Sequence, residues 1–556
     1  MSSVPVCAIQ YHPDAYRADR PRIKGRHSAG AGFLTGMFQH GRADQLVSVT
    51  AQDEHAAEFT EMARERDQKN RAVKRLVSMR QAEPSVEALM IAGPSFDAFV
   101  WERRAGDQRA YSLCGVTHTL SSDRIIASLA NYLLLPLQPW DALVCTSQVA
   151  RDVVTRTMQN YADYLGRRGG AGIEPTLKLP VIPLGVDGSR YVKDEPARQM
   201  LREHIGAAEE DLVVLFLGRF TFHAKAHPVP MYLAAERAAK RMPGRKVHLV
   251  MVGQAPNDRI MAIYREGAEQ FAKTAAVHFI DGQDDALVHA SWQGADVFLS
   301  LSDNIQETFG LTPIEAMAAG LPAVVSDWDG YKDTIIDGET GFRVPTTTPA
   351  AGDGFEQAFR YQTGQDNYDR FIGRASMMTS CDLDAAADAL VRLAEDPELR
   401  ARMGDAGRAR ARTHYDWSVI IRSYEDLWLE LRDIRAEAPE VAPRQSNETA
   451  SPFYPDPFDI FAPHPSFVLG PDTIVTVDGD APEADFQTIL AYEFCTFSQE
   501  LMLPRKQTAA LLRRLSERGL VTVGEIEQWI DGRGSPALHR TLPWLAKFGL
   551  IKLSEQ

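Results

Sequence analysis

Short apolar runs recur along the first four-fifths of the chain, each a few residues long and each followed by a stretch with helical spacing. Residues 4–9, 111–117 and 141–147 in the first part are of this kind, and so are 213–217, 247–252, 277–280 and 297–301 in the second. Their near-continuous hydrophobicity is that of strands covered on both faces. Residues 98–101 are also strand-like, and 54–80 form a charged helical stretch. Such alternation predicts βαβ units and parallel sheets. It occurs twice, over residues 1–186 and 187–435. The pattern therefore predicts an α/β protein with two facing Rossmann-like domains and a cleft between them, its ligands held at the carboxyl ends of the strands.

Beyond residue 384 the period becomes helical. Residues 417–431 place Ile420, Tyr424 and Leu427 on one face of an amphipathic helix. Residues 436–465 are rich in Pro with acidic and aromatic side chains interspersed, which fits either a linker or an extended strap. Phe453, Tyr454, Phe458 and Phe461 suit a strap that docks as well as a tether that does not. Residues 466–556 read as a small, mostly helical accessory domain, winged-helix-like in outline. It has a helix over 507–517, a stop at Arg518-Gly519 and a second helix over 522–530 with Thr522 at its cap. A third, within 536–548, is one that Pro543 breaks or restarts.

Length and charge narrow the classes. A chain of 556 residues is too long for one core and suggests about three domains. The formal net charge of −15 argues against a broad nucleic-acid surface. Residues 451–556 hold nine Lys and Arg against fourteen Asp and Glu, a net of −5, so the winged-helix outline does not predict DNA binding. Cys7, Cys114, Cys145, Cys381 and Cys495 have no metal-like spacing and suit buried positions in a reducing compartment. No signal-peptide pattern opens the sequence and no apolar stretch reaches eighteen residues. The expectation is a cytoplasmic protein, with peripheral contact at the inner face of the membrane left open. For the accessory domain, homo-oligomer contact, partner docking and membrane recruitment all stay open.

The chemistry concentrates in residues 307–320, ETFGLTPIEAMAAG. Glu307 and Glu315 lie eight residues apart on a strand–loop–helix step. Glu307 precedes a Gly-containing loop and is expected to project from a strand end, where a carboxylate accepts hydrogen bonds from sugar hydroxyls. Thr308, Phe309, Gly310 and Leu311 follow it, their free N–H groups near the positive end of a helix. Glu315 has a structural reading as well, because Thr312-Pro313-Ile314-Glu315 matches a capping box with Pro at the first helical position. Gly218 and Arg219 directly follow the run 213–217, and Lys225 lies six residues on. Arg and Lys together suit a diphosphate, although solvated surface cations are their common fate.

Weaker signals complete the set. Gly30 and Gly32 lie in a Gly-rich turn ahead of a helix, which is either a close approach to an anion or an ordinary turn. His118 ends an apolar run between two hydroxyl residues, and Ser147 ends another where it could cap the next helix. Asp327-Trp328-Asp329 matches a D-x-D pattern that elsewhere holds a divalent ion, but its place after residues 323–326 reads as loop chemistry, and no metal is expected.

Gly218-Arg219, Lys225, the Glu307/Glu315 pair, EAMAAGLPAVVSD and Asp337-Gly-Glu-Thr-Gly-Phe342 together resemble glycosyltransferase family 4, retaining enzymes of the GT-B fold. The resemblance covers about residues 1–435, is specific in the second half and looser in the first, and leaves the C-terminal domain uncovered. It implies a sugar moved from a nucleoside-diphosphate donor, a UDP- or GDP-sugar, to a glycan, lipid-linked or protein acceptor, with no further cofactor. By the same resemblance, Arg219 and Lys225 hold the diphosphate and Glu307 meets the transferred sugar. Glu315 meets the ribose, the Phe309-Gly310-Leu311 backbone meets sugar and phosphate, and His118 lies beside the donor sugar. Gln283, in the turn 281–283, answers to the base-binding turn. Gly30 and Gly32 answer to the first Gly-rich loop, where Ala31 splits the usual Gly-Gly pair. Two rival functions remain on the sequence: a non-catalytic nucleotide-sugar-binding regulator, and a GT-B nucleotide-sugar epimerase.

Overall fold

The computed structural model describes residues 4–17, 25–169, 172–446, 448–480, 482–530 and 535–555, with the side chain of Arg26 also outside the description. Contacts divide the chain into two compact units, Met1–Ser451 and Pro452–Gln556.

The first unit is built on two six-stranded sheets. Strands β1 (Val6–Gln10), β2 (Gln45–Val49), β3 (Ala72–Leu76), β4 (Val86–Met90), β5 (Ser112–Val116) and β6 (Ala142–Val144) form one, in the order β3-β2-β1-β4-β5-β6. Strands β7 (Leu212–Leu217), β8 (Val247–Gly253), β9 (Ala276–Asp281), β10 (Val297–Ser300), β11 (Ala323–Ser326) and β12 (Gly341–Val344) form the other, ordered β12-β11-β10-β7-β8-β9. Every pairing within both sheets is parallel. Each sheet reverses its strand order beside its first strand, and an open α/β sheet forms its ligand crevice at such a switch point. Apolar runs such as Leu212–Leu217 are buried because helices cover both faces.

Two short stretches differ from the sequence expectation. Residues 98–101 lie in the helix Asp97–Ala105, whose Val100 is buried with Phe96, four positions away, on the sheet. A four-residue apolar run carries no period that separates strand from helix. The charged stretch after the helix Asp53–Arg66 contains β3, an edge strand whose Lys74 and Arg75 suit an unpaired edge.

The chain crosses between the two sheets twice, and the crossings run side by side. Val186 donates its N–H to the carbonyl of Tyr415 at 2.7 Å. The helix Trp417–Glu437 then packs on the first sheet's side, burying Trp417, Ile420, Tyr424, Leu427 and Leu431 against Phe33 and Phe38. The Trp417 indole fills a seam of glycines. A Cβ would come within 2.6 Å of its ring at Gly32 and 2.4 Å at Gly185. The segment after residue 435, for which the sequence leaves linker and strap both open, is docked as far as Ser451. Val441 and Gln138 exchange two hydrogen bonds, of 2.8 and 2.9 Å, and Arg104 donates to the carbonyl of Ala450 at 2.9 Å.

The second unit holds a feature that the sequence did not suggest: a three-stranded antiparallel sheet of Val521–Thr522, Ile474–Val477 and Ile551–Ser554. The helices Arg505–Arg518, Val523–Trp529 and Pro536–Lys547 pack on it around Val475, Leu512, Ile526, Leu538 and Leu545. Thr522 forms a complete capping box with Glu525. The last helix runs unbroken through Pro543, which lies on its exposed face, where solvent can take up a carbonyl that has lost its N–H. Phe453, Tyr454, Phe458 and Phe461 are all exposed.

Candidate functional site

Three neighbouring strand ends build the floor of the site from bare backbone. Gly218 donates its N–H to Val252 at 2.9 Å, and Gly282 donates to Gly253 at 3.1 Å. A Cβ on Gly253 would lie 1.9 Å from the Gly218 carbonyl, so only glycine allows this approach. Gln283 is exposed in the turn after β9, its N–H bound to Asp281 Oδ1 at 3.0 Å.

Arg219 leaves this floor half-buried, and its guanidinium makes no hydrogen bond or ion pair among the described residues. Its charge acts on Lys225, which a tight turn (Lys225 N–H to Thr221 carbonyl, 2.9 Å) brings back beside it. Lys225 Nζ is ion-paired with Glu307 Oε2, two partners that the sequence separates by 82 residues. Burial works against both charges. It is the largest single influence on each, but the partner's charge and hydrogen bond, with smaller contributions from the surrounding groups, together outweigh it, so the Lys225 ammonium titrates above its ordinary value and the Glu307 carboxyl below. The N–H groups of Thr308 and Phe309 add to the hold on Glu307.

The loop after Glu307 is fixed by Gly310, at φ +84. A Cβ there would lie 2.1 Å from the ring of the buried Tyr331. Gly310 is also the N-cap of the helix Leu311–Ala319. This corrects the capping-box reading of residues 312–315. The helix begins before Thr312, no side chain caps it, and Glu315 lies within its first turns instead of reaching back. The positive φ of Gly310 lets the backbone turn into the helix one residue early. Glu315 sits with Tyr191 and Arg190. Burial raises its carboxyl, and the Tyr191 hydroxyl and the Arg190 charge offset this in part.

The first sheet brings its own strand ends to the same place. His118 lies two residues past β5 and is half-buried. Beyond the adjacent β6, Ser147 donates its hydroxyl to the Thr308 carbonyl at 2.8 Å while accepting from the Ala150 N–H at 3.0 Å, so it caps its own helix and crosses the cleft at once. Gln148 donates its N–H to Asp333. A cavity of about 680 Å³ is lined by Gly32, Thr35, Arg190, Tyr191, Leu311 and Glu315 among others, but not by Arg219, Lys225, Glu307 or His118.

Gly30 and Gly32 are placed differently from the expected turn. Both lie inside the helix Gly25–His40. A Cβ on Gly30 would come 1.9 Å from the Ala15 carbonyl, and Gly32 faces Trp417, so close packing accounts for the absence of side chains here. Gly32 still lines the cavity.

Sequence reasoning missed three participants. Arg190 and Tyr191 carried no signal before the fold joined them to Glu315. Asp333 gave none either. Asp329 was read as loop chemistry, yet its carboxyl is coupled to Glu307 and Lys225. A charged residue immediately before Gly330 in a tight turn was the signal available. Among the described residues, no group of three His, Cys, Asp or Glu side chains is arranged to hold a metal ion.

Two facing Rossmann-like lobes, with cations and carboxylates at the strand ends of the second, define the GT-B fold. Two solved structures share this architecture. The Anabaena protein HepE in complex with UDP aligns at TM-score 0.50 and 15% identity, covering 77% of this chain and 100% of that one. A glycosyltransferase of Rickettsia africae aligns at TM-score 0.51 and 12% identity, covering 77% and 98%. The second half resembles glycosyltransferase family 4, and residues 197–360 match the family described as glycosyl transferases group 1. Phosphatidyl-myo-inositol mannosyltransferase of Mycolicibacterium smegmatis is 31% identical over 249 residues, 44% of this chain and 51% of that one. D-inositol 3-phosphate glycosyltransferase of Corynebacterium glutamicum is 25% identical over 254 residues, 45% and 51%. The chain thus spans about half the length of the curated relatives it matches. Among the described residues, no helix is long and apolar enough to cross a membrane.

Proposed function

We propose that the chain is a retaining glycosyltransferase that moves a glycosyl group from a nucleoside-diphosphate sugar to a hydroxyl acceptor in the cleft. One observation carries this reading: Arg219, an unpaired half-buried cation, stands beside the half-buried Lys225–Glu307 pair at glycine-built strand ends. Cleaving the bond from sugar to phosphate puts positive charge on the anomeric carbon and negative charge on the leaving diphosphate. Fixed cations at the diphosphate stabilise that state more than the ground state. Arg219 supplies a planar fork for two phosphate oxygens and Lys225 a point charge. The sugar hydroxyls meet Glu307 and the N–H groups of residues 309–311, and His118 approaches from the other lobe. Glu315, with Tyr191 and Arg190, takes the ribose. The leaving phosphate itself accepts the acceptor's proton on the face where the new bond forms, which retains configuration.

The test is a thermal-shift panel with UDP-, GDP- and ADP-sugars, since a ligand that binds the folded state raises its melting temperature by mass action. One nucleotide class is expected to protect the protein, Arg219→Ala to abolish that protection with the unliganded melting point unchanged, and the protecting donor to be slowly hydrolysed without acceptor. Protection that survives Arg219→Ala overturns the reading. Epimerised donor in place of hydrolysis would favour the epimerase alternative.

A further inference from the structure

Asp329 combines two costly features at one residue. Its φ of +48 puts a side-chain-bearing residue in the left-handed region, which strains the backbone. Its Oδ2 is shielded from solvent and has no hydrogen-bond partner among the described residues. The surroundings hold it there. Trp328 donates its indole N–H to the Asn304 carbonyl at 3.1 Å. On the other side, a Cβ at Gly330 would lie 2.4 Å from Phe309 Cα. Residues 327–330 are thereby clamped onto the loop that carries Glu307 through Gly310. Glycine at position 329 would remove the backbone strain, and asparagine would ease it. The chain keeps an acid instead, beside an existing carboxylate and with an oxygen unsatisfied.

We propose that Asp329 is a specificity-determining residue for the glycosyl group of the donor, its carboxyl bonding a ring hydroxyl that the Lys225–Glu307 pair leaves free. This deepens the proposed function and rests on it. Burial, and then the charge of Glu307, hold the Asp329 carboxyl well above its ordinary value. A neutral carboxyl both donates and accepts, so one sugar hydroxyl could satisfy it in both senses. The expense of the unliganded site would then be met only when a sugar is present, and a nucleoside diphosphate alone would not meet it.

The experiment compares wild type, Asp329→Asn and Asp329→Gly in the full chain by calorimetric titration. The probes are UDP with UDP-glucose, GDP with GDP-mannose, and ADP with ADP-glucose. For the pair that binds, the ratio of diphosphate Kd to nucleotide-sugar Kd is expected to fall about 10-fold in Asp329→Gly. It should stay within about 3-fold of wild type in Asp329→Asn, which keeps a neutral hydrogen-bonding group and tolerates positive φ. Diphosphate affinity alone should be unchanged in both variants, and Asp329→Gly should melt at or above wild type. An unchanged ratio in Asp329→Gly, or an equal loss for diphosphate and nucleotide sugar, overturns the inference while leaving the glycosyltransferase reading intact. Failure of all three pairs to bind wild type overturns both.

Discussion

The Lys225 ammonium is spent on the Glu307 carboxylate in the unliganded protein, with side chains only 23% and 16% exposed. The pair therefore holds the fold as well as the site. Lys225→Ala leaves a buried carboxylate without its counter-charge and is expected to cost about 3 kcal/mol in urea unfolding. Replacing both partners, Lys225→Met with Glu307→Leu, should recover most of that stability and none of the transfer activity. Arg219→Ala should unfold with wild type. A Lys225→Ala protein as stable as wild type would contradict the ion pair.

Gly310 is predicted to be the least replaceable residue of the loop. Gly310→Ala brings both the strain of positive φ and a collision with Tyr331, for an expected loss above ~2 kcal/mol. The check is the urea midpoint, together with Gly310→Ala/Tyr331→Phe as a control. The control should recover nothing, because the clash is with ring carbons and not with the hydroxyl.

Ser147 links helix capping to closure of the cleft. Ser147→Ala should cost about 1 kcal/mol for the lost cap. In addition, hydrogen exchange should quicken at residues 304–310, which lose their tie to the first lobe. Exchange that quickens only within the helix Gln148–Gly169 would mean that the bond to the Thr308 carbonyl contributes nothing.

Asp303 makes stability depend on pH. It is 3% exposed, and burial lifts its carboxyl from 3.8 to about 7. Between those values the folded chain keeps a proton that the unfolded chain has released, so raising the pH destabilises the fold. The stability advantage of Asp303→Asn over wild type should grow by about 4 kcal/mol from pH 4 to pH 8. Paired urea titrations check this, and an advantage that is flat with pH would refute it.

The fold was legible where apolar runs are long and buried on both faces, as in Leu212–Leu217 and Val247–Gly253. It was not legible at β3, whose edge position admits Lys74 and Arg75, nor in the antiparallel sheet of the second unit, whose strands are two to four residues long. In the candidate site, Arg219 drew attention because it closely follows β7, and Lys225 and Glu307 because each lies in the loop that leaves a strand end. The capping-box pattern misread Glu315, because Gly310 starts the helix one step earlier than Thr312-Pro313 suggests. The Gly30/Gly32 pattern suggested a turn, whereas both glycines lie in a helix interior pressed on Ala15 and Trp417. Arg190 and Tyr191 acquire meaning only from three-dimensional neighbours.

Trp417 gives the molecule an optical gauge of its own. The indole sits where the two interlobe crossings meet, pressed by Gly32 from one lobe and by Gly185 from the connecting segment. Any rotation of one lobe against the other must slide a glycine surface across that ring and change its access to water. Its fluorescence would then track opening and closing as they happen, with no label attached, provided the other tryptophans are first replaced by phenylalanine.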